Sequence, residues 1–389
     1  MVRDDARWRR NQDAHSTILD LDESTAFFAV FDGHGGKEVA LYASRHLHEA
    51  FKATEGYANG DLSRGLVDSF LSLDVMMKAK ESAKELRELR AEGEKGSGAG
   101  SGRGGGEGGL ESLIGGGGSG GDGGGGGEGG AALSSAEAEK KARRAEINAT
   151  LRAALLEQVK EANPGIAEED IKFDFELDDE DFEELAPSPS GATGTDDWNG
   201  PQAGATSVVV CIRGDKAYCA NAGDSRAVFS RKGGVAVDMS YDHKPTNASE
   251  RERIQAAGGF VSEGRVNGSL ALSRALGDFE YKGNKDLPPD EQAVTAHPDV
   301  KEFQLEDGDE FIILACDGIW DVMTSQKCVD FVRERIIASN KDGGGELKLS
   351  KICEELCDEC LAPDTRGTGL GCDNMSVIIV LLKQRQSMF

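Results

Sequence analysis

The stretch AFFAVFDGHGG, residues 26–36, decides the fold that the sequence can adopt. Its apolar half, Ala26 to Phe31, predicts a short buried strand, and the glycine-rich segment 32–36 ends that strand in a turn. A helical pattern begins at Lys37 and continues to about Ala91. The opening of the chain is therefore expected to be a strand, a turn and a run of helices, with Asp32 and His34 at the turn.

Strand patterns return after Ala205. Three short apolar segments separated by two turns predict antiparallel hairpins: strands 206–212, 216–220 and 226–230, with turns at 213–215 and 221–224. Two further segments, 311–316 and 375–382, are typical of buried strands, and helices are expected over 248–257, 325–338 and 346–361. The two halves of the chain thus predict one mixed α/β domain, formed by residues 1–91 and 198–385.

A large insertion, residues 92–197, separates the halves. The chain contains 52 glycines among 389 residues, above the usual share of about 7%, and most of the excess falls in 92–130, which indicates a flexible linker. A capping box at Ser134 and Glu137 starts an expected helix that ends at Pro164-Gly165. The acidic segment 168–185 then fits either a binding segment for basic partners or a solvated spacer.

The formal net charge is −26. Such an acidic surface disfavours nucleic acid, whose phosphates require Lys and Arg, and favours basic partners or cations; it also keeps a protein soluble. No apolar run approaches the length of a membrane span, and the first residues lack the apolar core of a secretory signal. The eight cysteines are therefore expected to be reduced thiols.

Three aspartates share one placement. Asp32, Asp317 and Asp373 each lie where an apolar strand meets a loop. One such Asp is usually a turn residue, but three at strand ends can converge at one rim of a sheet structure and supply the oxygen ligands that Mg²⁺ and Mn²⁺ prefer. Gly33 allows its carbonyl to approach a metal, and the neighbouring His34 is suited to proton transfer.

Seven motifs make the chain resemble the type 2C metal-dependent serine/threonine protein phosphatases. They occur in the family's order: 28–36, 222–226, 242–245, 265–268, 272–278, 316–321 and 372–375. The acidic insertion and the stretch from Val300 to Asn374 are most similar to gamma-type members. Those members are largely nuclear and carry an acidic segment inside the catalytic domain.

The resemblance implies an α+β fold, a four-layer α-β-β-α sandwich of two antiparallel sheets flanked by helices. It also implies hydrolysis of phosphoserine and phosphothreonine by water activated at two Mg²⁺ or Mn²⁺ ions, with a weaker third ion. Transferred by motif, the metal-binding residues would be Asp32, Gly33, Asp317 and Asp373, with Asp224 and Asp321 for the third ion. His34 would be the general acid, Asp13 a carboxylate near the metals, and Arg265 a residue of the flap near the substrate.

The first motif departs from the family. Gln12 replaces a metal-binding Glu, so the affinity for metal is expected to fall. The position of a phosphate-binding Arg falls on Trp8, unless a one-residue shift brings in Arg9. The family's first strand is also expected to be missing. Either the chain is truncated or misjoined at its start, or its activity is reduced.

Two other functions stay open beside an active phosphatase. Gln12 is compatible with a pseudophosphatase that binds phosphoproteins without hydrolysing them, and the insertion with a binding module for basic proteins such as histones. We expect a monomer in the nucleus, the cytoplasm or both, with phosphoproteins as substrates. Two minor features each have a functional and a purely structural interpretation. The cysteines fit a zinc site or buried core thiols: Cys353, Cys357 and Cys360. The basic patch 140–144 fits a nuclear signal or a solvated helix face.

Overall fold

The computed structural model describes residues 2–3, 12–92, 198–341, 347–363 and 369–382. Contacts divide the chain into one unit of residues 1–93 and 189–389 and a second of residues 94–188. The second unit, and with it the expected linker, capping-box helix, basic patch and acidic segment, lies outside the described residues. The architecture below is that of the first unit.

The first half of the described chain is a strand pair followed by helices. A two-residue strand, β1, precedes it at Val2–Arg3. The other elements are β2 (Ala14–Asp22), β3 (Thr25–His34), α1 (Glu38–Lys52), α2 (Glu55–Ala58), α3 (Leu62–Lys78) and α4 (Ala83–Glu92). The strand-turn-helix order expected from residues 26–36 is confirmed.

The second half is mostly strands, with four helices. The strands are β4 (Gly204–Arg213), β5 (Lys216–Ala222), β6 (Arg226–Arg231), β7 (Val235–Asp238), β8 (Val261–Ser262), β9 (Arg265–Val266), β10 (Leu276–Gly277), β11 (Asp299–Gln304), β12 (Phe311–Ala315) and β13 (Met375–Leu381). The helices are α5 (Ala248–Ala256), α6 (Asp317–Trp320), α7 (Ser325–Lys341) and α8 (Leu349–Cys360).

Two antiparallel sheets stack face to face. One has the order β1-β13-β12-β6-β7 and the other β11-β5-β4-β3-β2, with β10 paired to β4; β8 and β9 form a separate hairpin. Strand β3 explains the arrangement, because its residues are buried on both faces. Phe27, Ala29 and Phe31 pack on the core beneath α1, α3 and α4, whereas Phe28 and Val30 join the core between the sheets.

The opposite outer face is covered in the same way. Side chains of β12 and β13 such as Ile313 and Val377 pack against Val329 and Val332 of α7 and Leu356 of α8. The four-layer α-β-β-α sandwich expected from the resemblance is confirmed. Cys353, Cys357 and Cys360 lie buried in this layer, and none of the eight cysteines forms a disulfide.

Two local predictions were wrong in a way that matters for the site. The turn at 221–224 does not close a hairpin: β5 lies in one sheet and β6 in the other, so the chain changes sheet there. Asp32 does not follow its strand but lies inside it, paired with Thr206. The sequence shows turn residues in both places, and only the pairing partners, far away in the chain, determine the outcome.

No helix among the described residues is both long and apolar enough to cross a membrane.

Candidate active site

Strand register brings the first pair of acidic residues together. Ala14 is paired with Phe31, so Asp13, one residue before β2, falls opposite Asp32. Asp13 is buried, and its Oδ2 accepts a hydrogen bond of 2.8 Å from Ser376 Oγ on β13. The second strand of the chain is thereby joined to the last one at one end of the sandwich.

The change of sheet after β5 adds Asp224 at the same end. Thr206, the partner of Asp32, exchanges a 2.6 Å hydroxyl hydrogen bond with Ser225, so the crossing segment lies beside β4. Asp224 is buried and forms an ion pair with Lys244 Nζ. Burial lowers the pKa of Lys244, but the charge and hydrogen bond of Asp224 outweigh it and the pKa is raised. A fixed positive charge therefore already sits beside this carboxylate.

The other sheet contributes the remaining candidates from one edge. Ala315, the last residue of β12, pairs with Val377 of β13 on one side and Arg226 of β6 on the other. Asp317 therefore starts α6 just beyond this row, and Asp373 precedes β13 by two residues. Asp321 follows the end of α6 and is exposed.

The charges of these residues act on one another. Burial raises the pKa of Asp32 well above its ordinary value, and the negative charges of Asp13 and Asp317 raise it further. Burial also raises the pKa of Asp317 to about 7, with added repulsion from Asp224 and Asp373. Burial raises the pKa of Asp13 to about 6. Carboxylates that repel one another in this way form a site that a cation would stabilise.

The donor atoms fit a hard divalent cation. Gln12 is the residue before Asp13, and its Oε1 is buried without a hydrogen-bond partner, which is unusual for a polar atom unless a ligand satisfies it. Across the described ranges, no three His, Cys, Asp or Glu side chains form a ready-made group that could hold an ion. The carboxylates and the Gln12 amide nevertheless supply the oxygen atoms that Mg²⁺ and Mn²⁺ prefer as ligands.

His34 ends β3 and is held by a residue from the other side of the site. Its Nε2 lies 2.7 Å from Oδ2 of Asp278, a buried carboxylate 244 positions later in the chain. Burial lowers the pKa of His34, but the charge and hydrogen bond of Asp278 outweigh burial, so the pKa is raised. The imidazole side chain remains 28% exposed.

Arg265 belongs to a different part of the structure. It lies exposed on the β8–β9 hairpin and donates a 2.7 Å hydrogen bond to the carbonyl of Ser269. None of the contacts described for Arg265 reaches the aspartates. Trp8 and Arg9, the two candidates for a phosphate-binding position, lie outside the described residues.

Sequence reasoning assigned no role to Asp278 or Lys244. Both lie inside quoted motifs, 272–278 and 242–245, and each is a charged residue next to a Gly or Pro that fixes the backbone. That signal could have marked them as candidates. Their partners, His34 and Asp224, could not be read from the pattern, because only the fold brings these residues together.

The chain is similar to one described protein family over most of its length. The family profile described as "Protein phosphatase 2C" matches residues 5–98 and 147–369. "Probable protein phosphatase 2C 60" of Arabidopsis thaliana is 39% identical over 377 residues, covering 97% of this chain and 84% of the relative. "Protein phosphatase 1G" of Rattus norvegicus is 36% identical over 480 residues, covering 98% of this chain and 87% of the relative.

Solved structures share the fold. A phosphatase from Toxoplasma gondii superposes with a TM-score of 0.55 at 20% identity, covering 97% of this chain and 90% of that one. A serine-threonine phosphatase 2C from Toxoplasma gondii gives a TM-score of 0.53 at 14% identity, covering 96% of this chain and 91% of that one. At these identities the likeness shows the fold alone.

Proposed function

Because this chain belongs to the protein phosphatase 2C family, we propose that it removes phosphate from phosphoserine and phosphothreonine in proteins at the aspartate cluster of the sandwich. The single observation that carries the proposal is the convergence of carboxylates from separate segments. Burial raises the pKa of Asp32, Asp317 and Asp13, and the negative charges of neighbouring aspartates raise it further. A purely structural cluster would be expected to include compensating basic groups, and Lys244 reaches only Asp224 by an ion pair.

We assign the candidate ligands as the family resemblance suggests. Asp32, with the carbonyl of Gly33, Asp317 and Asp373 would hold two Mg²⁺ or Mn²⁺ ions. Asp224 and Asp321 would hold a weaker third, where Lys244 competes for Asp224. Gln12 would offer its buried Oε1 as a neutral ligand. When bound, the ions lower the pKa of water and offset negative charge on the phosphoryl oxygens.

The protein's own part in the reaction is the handling of one proton. Water adds to phosphorus as the bond from phosphorus to the serine or threonine oxygen breaks. His34 gives its proton to that departing oxygen, because an alkoxide is too basic to leave without being protonated. The attacking water releases one proton to solvent, His34 regains one from solvent, and the products are phosphate and the free hydroxyl side chain.

The first experiment is hydrolysis of a phosphothreonine peptide with and without Mn²⁺, by the full chain and by Asp317→Ala. We expect phosphate release that requires Mn²⁺ and falls at least about 100-fold in the variant. A folded parent chain without activity, judged by circular dichroism, would reject an active enzyme. It would favour the pseudophosphatase, since Gln12 replaces a charged ligand.

The insertion motivates a second proposal, which is compatible with the first. Its acidic segment, residues 168–185, would bind basic proteins such as histones through charge attraction. We further propose that the protein is a monomer, acts in the nucleus, the cytoplasm or both, and does not bind nucleic acid. The net charge of −26 supports the last statement.

A further inference from the structure

We propose that Asp278 is a positioning residue for His34, and that its carboxylate holds the imidazole in the orientation from which the leaving oxygen is protonated. The inference rests on the proposed function, because it assumes that His34 is the proton donor. It adds a residue to which the family motif gave no role above. The observations that carry it are the contact itself, the backbone that presents Asp278, and the space reserved for the pair.

The contact is short and specific. His34 Nε2 donates to Asp278 Oδ2 at 2.7 Å, and the Asp278 side chain is 4% exposed. A buried acceptor for one ring nitrogen fixes both the rotation of the ring and the nitrogen that carries the other proton. With Nε2 engaged by Asp278, Nδ1 is the nitrogen left to meet the substrate.

The backbone at Asp278 is held in a conformation that non-glycine residues seldom adopt. Its φ is 50°, in the left-handed region. The amide of Asp278 donates to the carbonyl of Ala203 at 3.1 Å, and the carbonyl of Asp278 accepts from the amide of Tyr281 at 3.1 Å. Such conformations persist where the surroundings enforce them and cluster at functional sites.

A second layer of contacts fixes the preceding residue. The amide of Gly277 donates to Asp74 Oδ1 at 2.9 Å, and Lys282 Nζ lies 2.5 Å from Asp74 Oδ2. Gly277 has a φ of 75°, and a Cβ there would lie 2.4 Å from the carbonyl of Ala203. The turn that carries Asp278 is therefore anchored from α3 and from β4.

Gly204 leaves room for the pair. A Cβ at this position would lie 2.2 Å from Asp278 Oδ2 and 2.5 Å from His34 Nε2. The φ of Gly204 is not positive, so the backbone itself would accept alanine. The absence of a side chain at Gly204 thus leaves the space in which His34 and the buried Asp278 meet.

The test separates proton donation from general structural support. Two substrates are compared at saturating Mn²⁺: a phosphothreonine peptide, whose leaving oxygen needs a proton, and p-nitrophenyl phosphate, whose acidic phenol leaves as the anion. Asp278→Asn keeps the shape and tolerates positive φ, but loses the charge. We expect kcat on the peptide to fall about 100-fold and kcat on p-nitrophenyl phosphate to fall less than about threefold.

Gly204→Ala is the second variant, because it keeps both side chains and pushes them apart. It should show the same preference for p-nitrophenyl phosphate. Gly283→Ala is its matched control, since a Cβ at Gly283 meets nothing within 4 Å, and it should leave both activities unchanged. Adding Asp278→Asn to His34→Ala should cost no further activity on the peptide, because both act on one proton.

The outcomes distinguish the two levels of the argument. If His34→Ala lowers kcat equally on both substrates, the assignment of His34 as proton donor is wrong. Suppose instead that His34→Ala lowers kcat on the peptide and spares kcat on p-nitrophenyl phosphate. If Asp278→Asn and Gly204→Ala then lower kcat equally on both substrates, or on neither, the positioning role is overturned. The positioning role is supported if His34→Ala and at least one of Asp278→Asn and Gly204→Ala lose activity on the peptide but keep it on p-nitrophenyl phosphate. This holds even if the other of those two variants fails to fold.

Discussion

The ionised side chain of Asp317 destabilises the folded protein at and above neutral pH as long as no cation is bound beside it. Its pKa is raised to about 7 by burial and by Asp224 and Asp373, against an ordinary value of about 4 in an unfolded chain. The folded protein therefore holds this proton more tightly than the unfolded chain. The stabilisation is fully present below pH of about 4 and is lost as the pH rises through about 7.

Asp317→Asn should accordingly stabilise the metal-free protein at pH 8, by about 1–3 kcal/mol in the free energy of unfolding. The gain should shrink at pH 5, where the folded carboxyl is mostly protonated. Urea unfolding in the presence of a chelator measures both values. Equal stability of the variant and the parent at pH 8 would show that burial and the neighbouring carboxylates do not raise the pKa of Asp317.

Gln12 allows the opposite change. Gln12→Glu adds a charge where a buried oxygen lacks a partner, so Mn²⁺ should bind about tenfold more tightly, equal to about 1.4 kcal/mol. Without metal the variant should be less stable than the parent, because it adds a carboxylate to a repelling group. Thermal melting at increasing Mn²⁺ follows both effects, with Gln12→Ala as the control that should bind more weakly. A weaker response of Gln12→Glu than of the parent would contradict a ligand role.

At the scale of single residues, the sequence predicted candidates better than partners. Asp32, Asp317 and Asp373 could be singled out because each borders an apolar run of the sequence. The pairing of His34 with Asp278 and of Asp224 with Lys244 could not, since it depends on which strands become neighbours. The raised pKa of His34 and of Lys244 depends on these partners, so it could not be predicted from the sequence either.

Among the structural elements, α5 is joined to the segment of Ser273 and Arg274 by an ionic cluster around the buried Glu250. Glu250 is 2% exposed and accepts from Arg253 at 2.7 Å, from Arg274 at 2.6 Å and from Ser273 Oγ at 2.8 Å. Burial raises the pKa of Glu250, but the hydrogen bonds and charges of the two arginines outweigh it and lower the pKa to about 2. The carboxylate is therefore charged at any physiological pH.

Glu250→Ala should lower the free energy of unfolding by about 3–5 kcal/mol, because it leaves two arginines buried without their shared partner. Glu252→Ala is the matched control, an exposed glutamate on the same helix, and should change it by less than about 0.5 kcal/mol. Urea denaturation at fixed Mn²⁺ gives the comparison. Similar values for the two variants would mean that the cluster is not what anchors α5.

Prediction of the elements themselves succeeded where one segment contains its own signal. The apolar run before Asp32 predicted β3, and the periodic patterns predicted the helices that follow. The change of sheet after β5 was missed because a turn of Asn, Ala, Gly and Asp is equally suited to a hairpin. The chain changes sheet, rather than forming a hairpin, because Phe229 and its neighbours can be buried on the second sheet. No local sequence pattern shows that burial.

For the molecule as a whole, the insertion is predicted to be separable from catalysis. The described segments on either side of it are in contact, since Trp198 Nε1 donates to the carbonyl of Met77 at 3.0 Å and the Trp198 ring lies against Arg87 of α4. Replacing residues 94–188 by a short Gly-Ser linker should therefore keep the hydrolysis of a phosphothreonine peptide within about threefold.

The same variant should lose binding to histones in a pull-down at low salt, because it lacks the acidic segment. The parent chain at high salt is the control for charge attraction. Unchanged histone binding would reject the insertion as the binding segment, whereas lost hydrolysis would show that it supports the catalytic unit.

The hydrogen bond from Ser376 to Asp13 spans 363 positions of the chain. A ribosome makes Asp13 well before Ser376, so a nascent chain carries an incomplete acidic pocket until β13 has been released. Long-range pairing of this kind is also slow to form. The cell would thus receive no phosphatase activity from chains that lack β13, and the time of activation would be set by the synthesis of that strand.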